Sequence, residues 1–304
     1  MNKKILITGG TGLVGTLLSE ILTNLGCEVG HLSRSSRSGA KYKTWQWNVK
    51  EGKIDQEAIT FADTIVHLAG AGVADKRWTE QRKAEIYDSR IESTKLLYNA
   101  IKERESQLPT FIAASAVGYY GSQGDKWLTE EMPPGDDFLA KVCDEWEKAS
   151  EPINELGTRV ARLRIGIVLS TKGGALEKML LPAKFGAGAY FGNGKQYYPW
   201  IHIEDLCMMI IEAIENDGLE GNYNAVATQP VTNKALAKAV KKAIGRPGLV
   251  LPAPETALRL AMGEMAYVVL MSTRASSEKI EKTGFKFLFD DPETAIRDLI
   301  KRKI

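Results

Sequence analysis

The sequence predicts an α/β protein, a doubly wound parallel sheet with a smaller C-terminal substrate lobe. Two observations carry that prediction. Short apolar or β-branched runs recur at residues 5–7, 28–32, 42–49, 62–69 and 110–114, with helical apolar spacing between them. Beyond residue 170 the composition shifts to loops, aromatics and glycines, with Gly173-Gly174, the stretch Gly186 to Gly194, and Tyr197-Tyr198-Pro199-Trp200. That is the make-up of a lobe assembled from insertions. Residues 1–170 are therefore read as the sheet domain, with strand and helix contributions from about 197–228, and residues 171–304 mainly as the substrate lobe.

The first strand–helix unit is the most informative. Ile5-Leu6-Ile7 leads into Thr8-Gly9-Gly10-Thr11-Gly12-Leu13-Val14-Gly15, then into a helical stripe of Leu13, Leu17, Leu18, Ile21, Leu22 and Leu25. Strand, glycine turn and helix stand in the order of a Rossmann-type dinucleotide site. Gly9 and Gly12 let the backbone turn tightly and approach a pyrophosphate. Gly15 lets the helix lie close to the strand, and the helix N-terminus offers free N–H groups to the phosphates. The second strand ends in His31-Leu32-Ser33-Arg34-Ser35-Ser36-Arg37, without a carboxylate. NAD sites usually place Asp or Glu there for the ribose hydroxyls. A guanidinium among hydroxyls suits a 2′-phosphate instead, so NADP(H) is the expected cofactor.

Composition narrows the function classes. The 304 residues are 44% hydrophobic, enough for a sizeable core. Forty Lys and Arg face 38 Asp and Glu, and a net charge of +2 gives no field for nucleic acid or a membrane surface. Cys27, Cys143 and Cys207 lie far apart with no metal spacing, so buried, reduced thiols are expected and no metal site. No apolar run has transmembrane length, and the N-terminus reads as a strand rather than a signal peptide. A cytoplasmic protein is the expectation.

The other elements follow from periodicity. Residues 42–49 alternate aromatic and polar, placing Trp45 and Trp47 on one strand face as core or adenine-edge packing. Residues 62–69 form a strand ending in Gly70-Ala71-Gly72, with His67 inside it as a core histidine. Residues 78–105 form a long helix with Ile86, Ile91, Leu96, Leu97, Ala100 and Ile101 inward. A polar loop at 124–137 precedes a helix at 138–156 with Phe138, Val142, Trp146 and Ile153 inward, and a buried strand at 159–169. Helices follow at 203–214, 232–244 and 292–301.

GGTGLVG with Ser33-Arg34 and HLAG (67–70) resembles the extended short-chain dehydrogenase/reductases, which include the nucleotide-sugar epimerases. SRIEST (89–94), SAVGYYG (115–121), RIGIVLS (164–170) and PWIHIEDL (199–206) resemble one atypical branch, the SDR39U1/YfcH-like proteins labelled NAD-dependent epimerase. LPAPETALRLAMGEMAYVVL (251–270), followed by GFKF, resembles the DUF1731-like domain of unknown function that closes those proteins. The likeness spans essentially the whole chain. It implies bound NADP(H), oxidoreductase or epimerase-like chemistry on an unassigned small-molecule substrate, and a homodimer, common in the wider family.

The resemblance implies pyrophosphate contacts at Gly9, Thr11, Gly12, Leu13, Val14 and Gly15, and 2′-phosphate contacts at Ser33 and Arg34. Leu68, Ala69 and Gly70 would line the adenine and ribose side, and Glu85, Arg90 and Val168 match further cofactor contacts. Active members use a Tyr phenol as acid/base, a Lys four residues later and a Ser. Here Lys141 stands at the Lys position, where it is expected to touch the ribose, but Asp137 stands four residues before it. Phe138 has no hydroxyl, and the Ser position falls on Ala116, one residue after Ser115. A carboxylate beside an ammonium stays ionised and is a poor acid. Tyr119, Tyr120, Ser115 and His202 are the candidates to act with Lys141, although a Tyr at position 120 is structural in active relatives. Asp205 is read as a helix N-terminal charge. A non-catalytic NADP(H) sensor or partner-binding protein is the alternative.

Overall fold

The computed structural model describes residues 2–35 and 39–304; Ser36 and Arg37 of the basic run lie outside the described residues. The first third alternates strand and helix: β1 (Lys4–Thr8), α1 (Leu13–Asn24), β2 (Glu28–Ser33), β3 (Lys43–Asn48), β4 (Lys53–Ile54), α2 (Gln56–Phe61), β5 (Thr64–His67), α3 (Glu80–Lys102) and β6 (Thr110–Ala116). Next come β7 (Trp127–Leu128), α4 (Phe138–Ser150), α5 (Pro152–Glu155), β8 (Arg159–Ile165) and β9 (Ile167–Leu169). The chain continues through α6 (Gly174–Lys184), β10 (Ala187–Phe191), β11 (Tyr197–Tyr198), β12 (Trp200–His202), α7 (Ile203–Glu215), β13 (Gly221–Ala225), β14 (Val231–Thr232) and α8 (Asn233–Ile244). It closes with β15 (Leu249–Ala253), α9 (Glu255–Met262), α10 (Tyr267–Leu270), β16 (Arg274–Ala275), α11 (Glu278–Glu281) and α12 (Pro292–Arg302).

The central sheet runs β13-β8-β6-β5-β1-β2-β3-β4, and every pair in it is parallel except β3 with β4. β1 pairs with β2 on one side and β5 on the other, Ile5 standing opposite both Val29 and Thr64. Strand order reverses there, and in such sheets the ligand crevice opens beyond the carboxyl ends of those strands. Helices cover both faces, which is why Ile5, Leu6 and Ile7 are all fully buried and read as an unbroken apolar run. On one face Ile5, Ile7, Leu18, Leu22, Ile210 and Ile214 pack together; on the other Leu6, Ile65, Leu97, Phe111, Trp45 and Trp47 do so. Trp45 sits 4.9 Å from Phe61, so both tryptophans are core.

Three sequence expectations are corrected. The strand at 159–169 divides at Gly166, where an added Cβ would lie 2.3 Å from the Pro199 carbonyl oxygen. β8 stays in the central sheet while β9 leaves to pair with β12. The helix at 138–156 breaks at Glu151 because Pro152 opens a new helix. Residues 187–191 are not loop: β10 pairs in parallel with β15, joining segments too distant for local patterning to show. Among the described residues no helix is long and apolar enough to cross a membrane.

Candidate functional site

The glycine turn is built around contacts that exclude side chains. Gly9 adopts φ +70°, and its carbonyl accepts from Gly12 N at 2.9 Å. A Cβ on Gly15 would stand 2.4 Å from Gly9 O and 2.7 Å from Gly10 Cα, so α1 touches the turn backbone to backbone. Thr11 and Gly12 are exposed, Leu13 and Val14 half-buried. Gly12 caps α1 without a side-chain bond, and no acidic residue stands in the first turn. The N-terminal N–H groups of α1 therefore face outward for an anionic ligand. Sequence reasoning missed the prop beneath: the His31 ring fills the space under Gly10 and bonds Ser19 Oγ at 2.9 Å.

A buried histidine stitches the second half of the rim to the first. Thr8 Oγ1 accepts from Leu68 N and Ala69 N, both at 3.1 Å, and so donates its one proton to His67 Nδ1 at 2.7 Å. Ser93 Oγ donates to Ser89 O at 2.7 Å and accepts from His67 Nε2 at 3.1 Å. This fixes a neutral ring with its proton on Nε2. Burial and the nearby Arg90 push its pKa down to about 3. Leu68 and Ala69 are thereby held against Gly9.

The remaining cofactor candidates divide. The Arg90 guanidinium sits under Gly70, donating to Ala71 O at 3.0 Å and Ile86 O at 2.9 Å. It supports the loop from beneath. Glu85 is exposed and pairs with Arg82 at 2.5 Å on the surface of α3. Val168, on β9, is half-buried and packs with Leu13 and Leu17 behind the turn. Ser33 ends β2, and the Arg34 side chain is exposed with no salt bridge among the described residues.

The expected acid/base groups Ser115, Tyr119, Tyr120 and His202 are all buried. Glu147 Oε1 and Oε2 accept from Arg164 Nε and Nη2 at 2.8 Å each, and Ser115 Oγ donates to Oε1 at 2.6 Å. Arg164 Nη1 donates to Tyr120 Oη at 3.0 Å, and Tyr120 donates to Asn224 Oδ1 at 2.7 Å. The Tyr119 ring covers the same guanidinium at 3.5 Å. Ser115, Tyr119 and Tyr120 are all buried in this cluster, and burial raises the Tyr120 phenol to about 12. Glu147 and Arg164 were missed by sequence reasoning; the available signal was a charge on an inward helix face and another inside a strand. His202, also fully buried, caps α7 by accepting from Glu204 N at 3.1 Å. It stacks on Phe289 at 4.0 Å and lies 3.4 Å from Asp298, joining α7 to α12. Asp205 stands in the first turn of α7 as expected, and it is buried there, accepting from Leu288 N at 2.7 Å and Phe289 N at 3.2 Å.

Lys141 is exposed on α4. One turn earlier, Asp137 Oδ1 caps the helix through Leu139 N (2.8 Å) and Ala140 N (3.1 Å). Its Oδ2 accepts from the Tyr267 phenol at 2.8 Å. Tyr267 comes from the C-terminal segment and was not foreseen. It lines a cleft of about 660 Å³ with Ser122, Asn193, Lys195, Gln196 and Met271.

The titratable groups carry a pH dependence. All three histidines have pKa values below the free value of 6.5 through burial, His67 at about 3 and His202 at about 4. Below pH 6.5 the unfolded chain binds protons that the folded chain refuses, so stability falls as pH falls towards those values. Asp205 opposes this: burial raises its carboxyl to about 6, and the folded form protonates first. Three histidines against one carboxyl leave a net loss. Urea midpoints should drop between neutral pH and about pH 5, and a flat profile there contradicts the buried neutral rings.

A glycine turn at the switch point of a doubly wound sheet defines a Rossmann-type protein with an NAD(P)-binding site of the short-chain dehydrogenase kind. The chain belongs to the NAD dependent epimerase/dehydratase family, whose model matches residues 5–225; the domain of unknown function DUF1731 matches residues 253–299. It is 39% identical over 299 residues to the epimerase family protein YfhF of Bacillus subtilis (strain 168), covering 97% of both chains. Among solved structures it is similar to human epimerase family protein SDR39U1 (isoform 2) with NADPH, at 30% identity and TM-score 0.89 over 98% of this chain and 99% of that one. It is also similar to the nucleoside-diphosphate sugar epimerase from Corynebacterium glutamicum, at 34% identity and TM-score 0.80 over 98% of this chain and 58% of that one.

Proposed function

We propose that this chain binds NADP(H) and acts as an oxidoreductase or epimerase-like enzyme on a small substrate carrying an alcohol or carbonyl. The observation that carries the reading is the pairing of an intact glycine turn at Gly9–Gly15 with an exposed Arg34 just after β2. The residues present fit the cofactor: outward N–H groups of α1 suit a pyrophosphate, and Ser33 with Arg34 suits a 2′-phosphate. That a similar protein was solved with NADPH supports the same assignment. When bound, the dinucleotide supplies a nicotinamide ring able to take or give a hydride.

Arg34→Ala tests the cofactor assignment. A charge-assisted contact to the 2′-phosphate contributes roughly 1.5–3 kcal/mol, so the NADPH Kd should rise about 10- to 100-fold. NADH binding, measured in the same titration, should stay within about twofold. Equal losses for the two overturn the NADP(H) assignment. One observation favours a sensor or partner-binding role instead: α4 carries a capping carboxylate, Asp137, one turn before Lys141. Consumption of NADPH across a panel of aldehydes, ketones and sugar nucleotides separates the two, since a sensor oxidises it with none.

A further inference from the structure

We propose that Tyr267, carried by the C-terminal segment, is the proton-handling group of the site, with Asp137 behind it as the second member of a relay; this rests on the cofactor reading above. Among the described residues this phenol meets both an ionisable partner and a cleft. Tyr119 and Tyr120 are locked around Arg164, and the Tyr198 hydroxyl donates to Val269 O at 2.6 Å. Tyr267 Oη donates to Asp137 Oδ2 at 2.8 Å and accepts from Ser122 N at 3.1 Å, which leaves one lone pair free. Its ring lines the cleft beside the donors Asn193 and Lys195.

Both partners are held in place. Asp137 cannot swing away, because its other oxygen caps α4 through Leu139 N and Ala140 N. The segment bearing Tyr267 is pinned on either side. Glu264 pairs with Lys83 of α3 at 2.5 Å, and Gly263 lies against the Arg77 guanidinium. Ser272 N donates to Ser122 Oγ at 3.1 Å, and Ser272 O accepts from Gln123 N at 2.9 Å. Burial, and then the Asp137 carboxylate, hold the phenol's pKa well above the ordinary range. The phenol is therefore protonated at neutral pH and works only in concert with its partner.

The proton step balances. A substrate hydroxyl gives its proton to the free lone pair of Tyr267 Oη as the phenol's own proton passes to Asp137 Oδ2. One substrate O–H bond breaks, one phenol O–H bond is exchanged for another, and the carboxylate becomes a carboxylic acid that later gives its proton to water. An oxidised dinucleotide held at the glycine turn would supply the acceptor for the hydrogen and electron pair leaving the carbinol carbon, which would leave a carbonyl. Carbonyl reduction is the reverse.

The test reads position and coupling without needing a substrate. The three native cysteines are buried, so a Tyr267→Cys variant carries a single accessible thiol. Its alkylation by iodoacetamide should slow roughly tenfold under saturating NADPH and not under saturating 2′,5′-ADP, which lacks the nicotinamide end. Binding of both probes is measured alongside. Protection by both or by neither, while both bind, overturns the placement of Tyr267 and leaves the cofactor reading standing. Failure of wild-type protein to bind either probe removes the cofactor reading and the relay together. The coupling is read from phenolate absorbance, as the difference between wild type and Tyr267→Phe. Asp137→Asn, which preserves the cap of α4, should lower that titration; an unmoved titration overturns the relay.

Discussion

Glu147→Ala should destabilise the protein by about 3–5 kcal/mol, because it leaves a buried guanidinium without its counter-charge. Arg164 is 1% exposed and Glu147 only 7%, so water cannot replace the lost carboxylate. The same substitution strands the Ser115 hydroxyl, which donates to Glu147 Oε1. Tyr120 and Asn224 then sit on an unanchored cluster, although neither touches Glu147 in the hydrogen-bond chain. Urea unfolding measures the loss as a shift in midpoint with little change in slope. A diagnostic comparison is Glu147→Leu combined with Arg164→Met. Apolar side chains of similar volume should recover most of the loss, since a buried pair gains little over packing once both desolvation penalties are removed. A double variant as unstable as the sum of its two single variants would show that the pair is not coupled as drawn.

Gly15→Ala should be the most damaging single-carbon change in the cofactor site. The added atom would stand 2.4 Å from Gly9 O and 2.7 Å from Gly10 Cα, both backbone atoms that cannot rotate away. Either α1 shifts along β1 or the turn opens, at a cost of about 1–3 kcal/mol in folding stability. Both responses displace the N–H groups at the start of α1, so NADPH affinity should fall at least roughly 100-fold, more than stability alone predicts. Gly118→Ala is the control. Its new carbon meets Leu139 and Cys143 at 3.5 and 3.6 Å, ordinary contact distances, and should be nearly neutral. If Gly15→Ala binds NADPH like wild type, the turn is not the pyrophosphate cradle.

The parts of this molecule that were legible in the sequence are those encoded locally. Ile5-Leu6-Ile7 is apolar throughout because helices bury both faces of β1, and the glycines after it sit where side chains would collide. The inward stripe of α3 follows its period, Ile86, Ile91, Leu97 and Ile101 all being buried. α2 escaped notice because six residues are too few for a period, and Asp55, its cap, looks like any loop aspartate. The partners of the candidate acid/base groups were hidden for another reason. Ser115 lies near the end of β6 and Tyr120 just beyond it, yet Ser115 is held by Glu147 and Tyr120 by Arg164 and Asn224, far along the chain. The meeting of Asp137 with Tyr267 spans 130 residues and leaves no periodic trace. Such contacts belong to the folded shape.

The pinned stretch from Gly263 to Ser272 has an evolutionary corollary. It lines the cleft, and among the described residues no hydrogen bond or ion pair joins it to the glycine turn. Selection can thus rewrite what enters the cleft by editing a handful of late residues, with the coenzyme grip inherited unaltered. Diversification in such a lineage is expected to accumulate in the tail, much as interchangeable bits are fitted to a common handle.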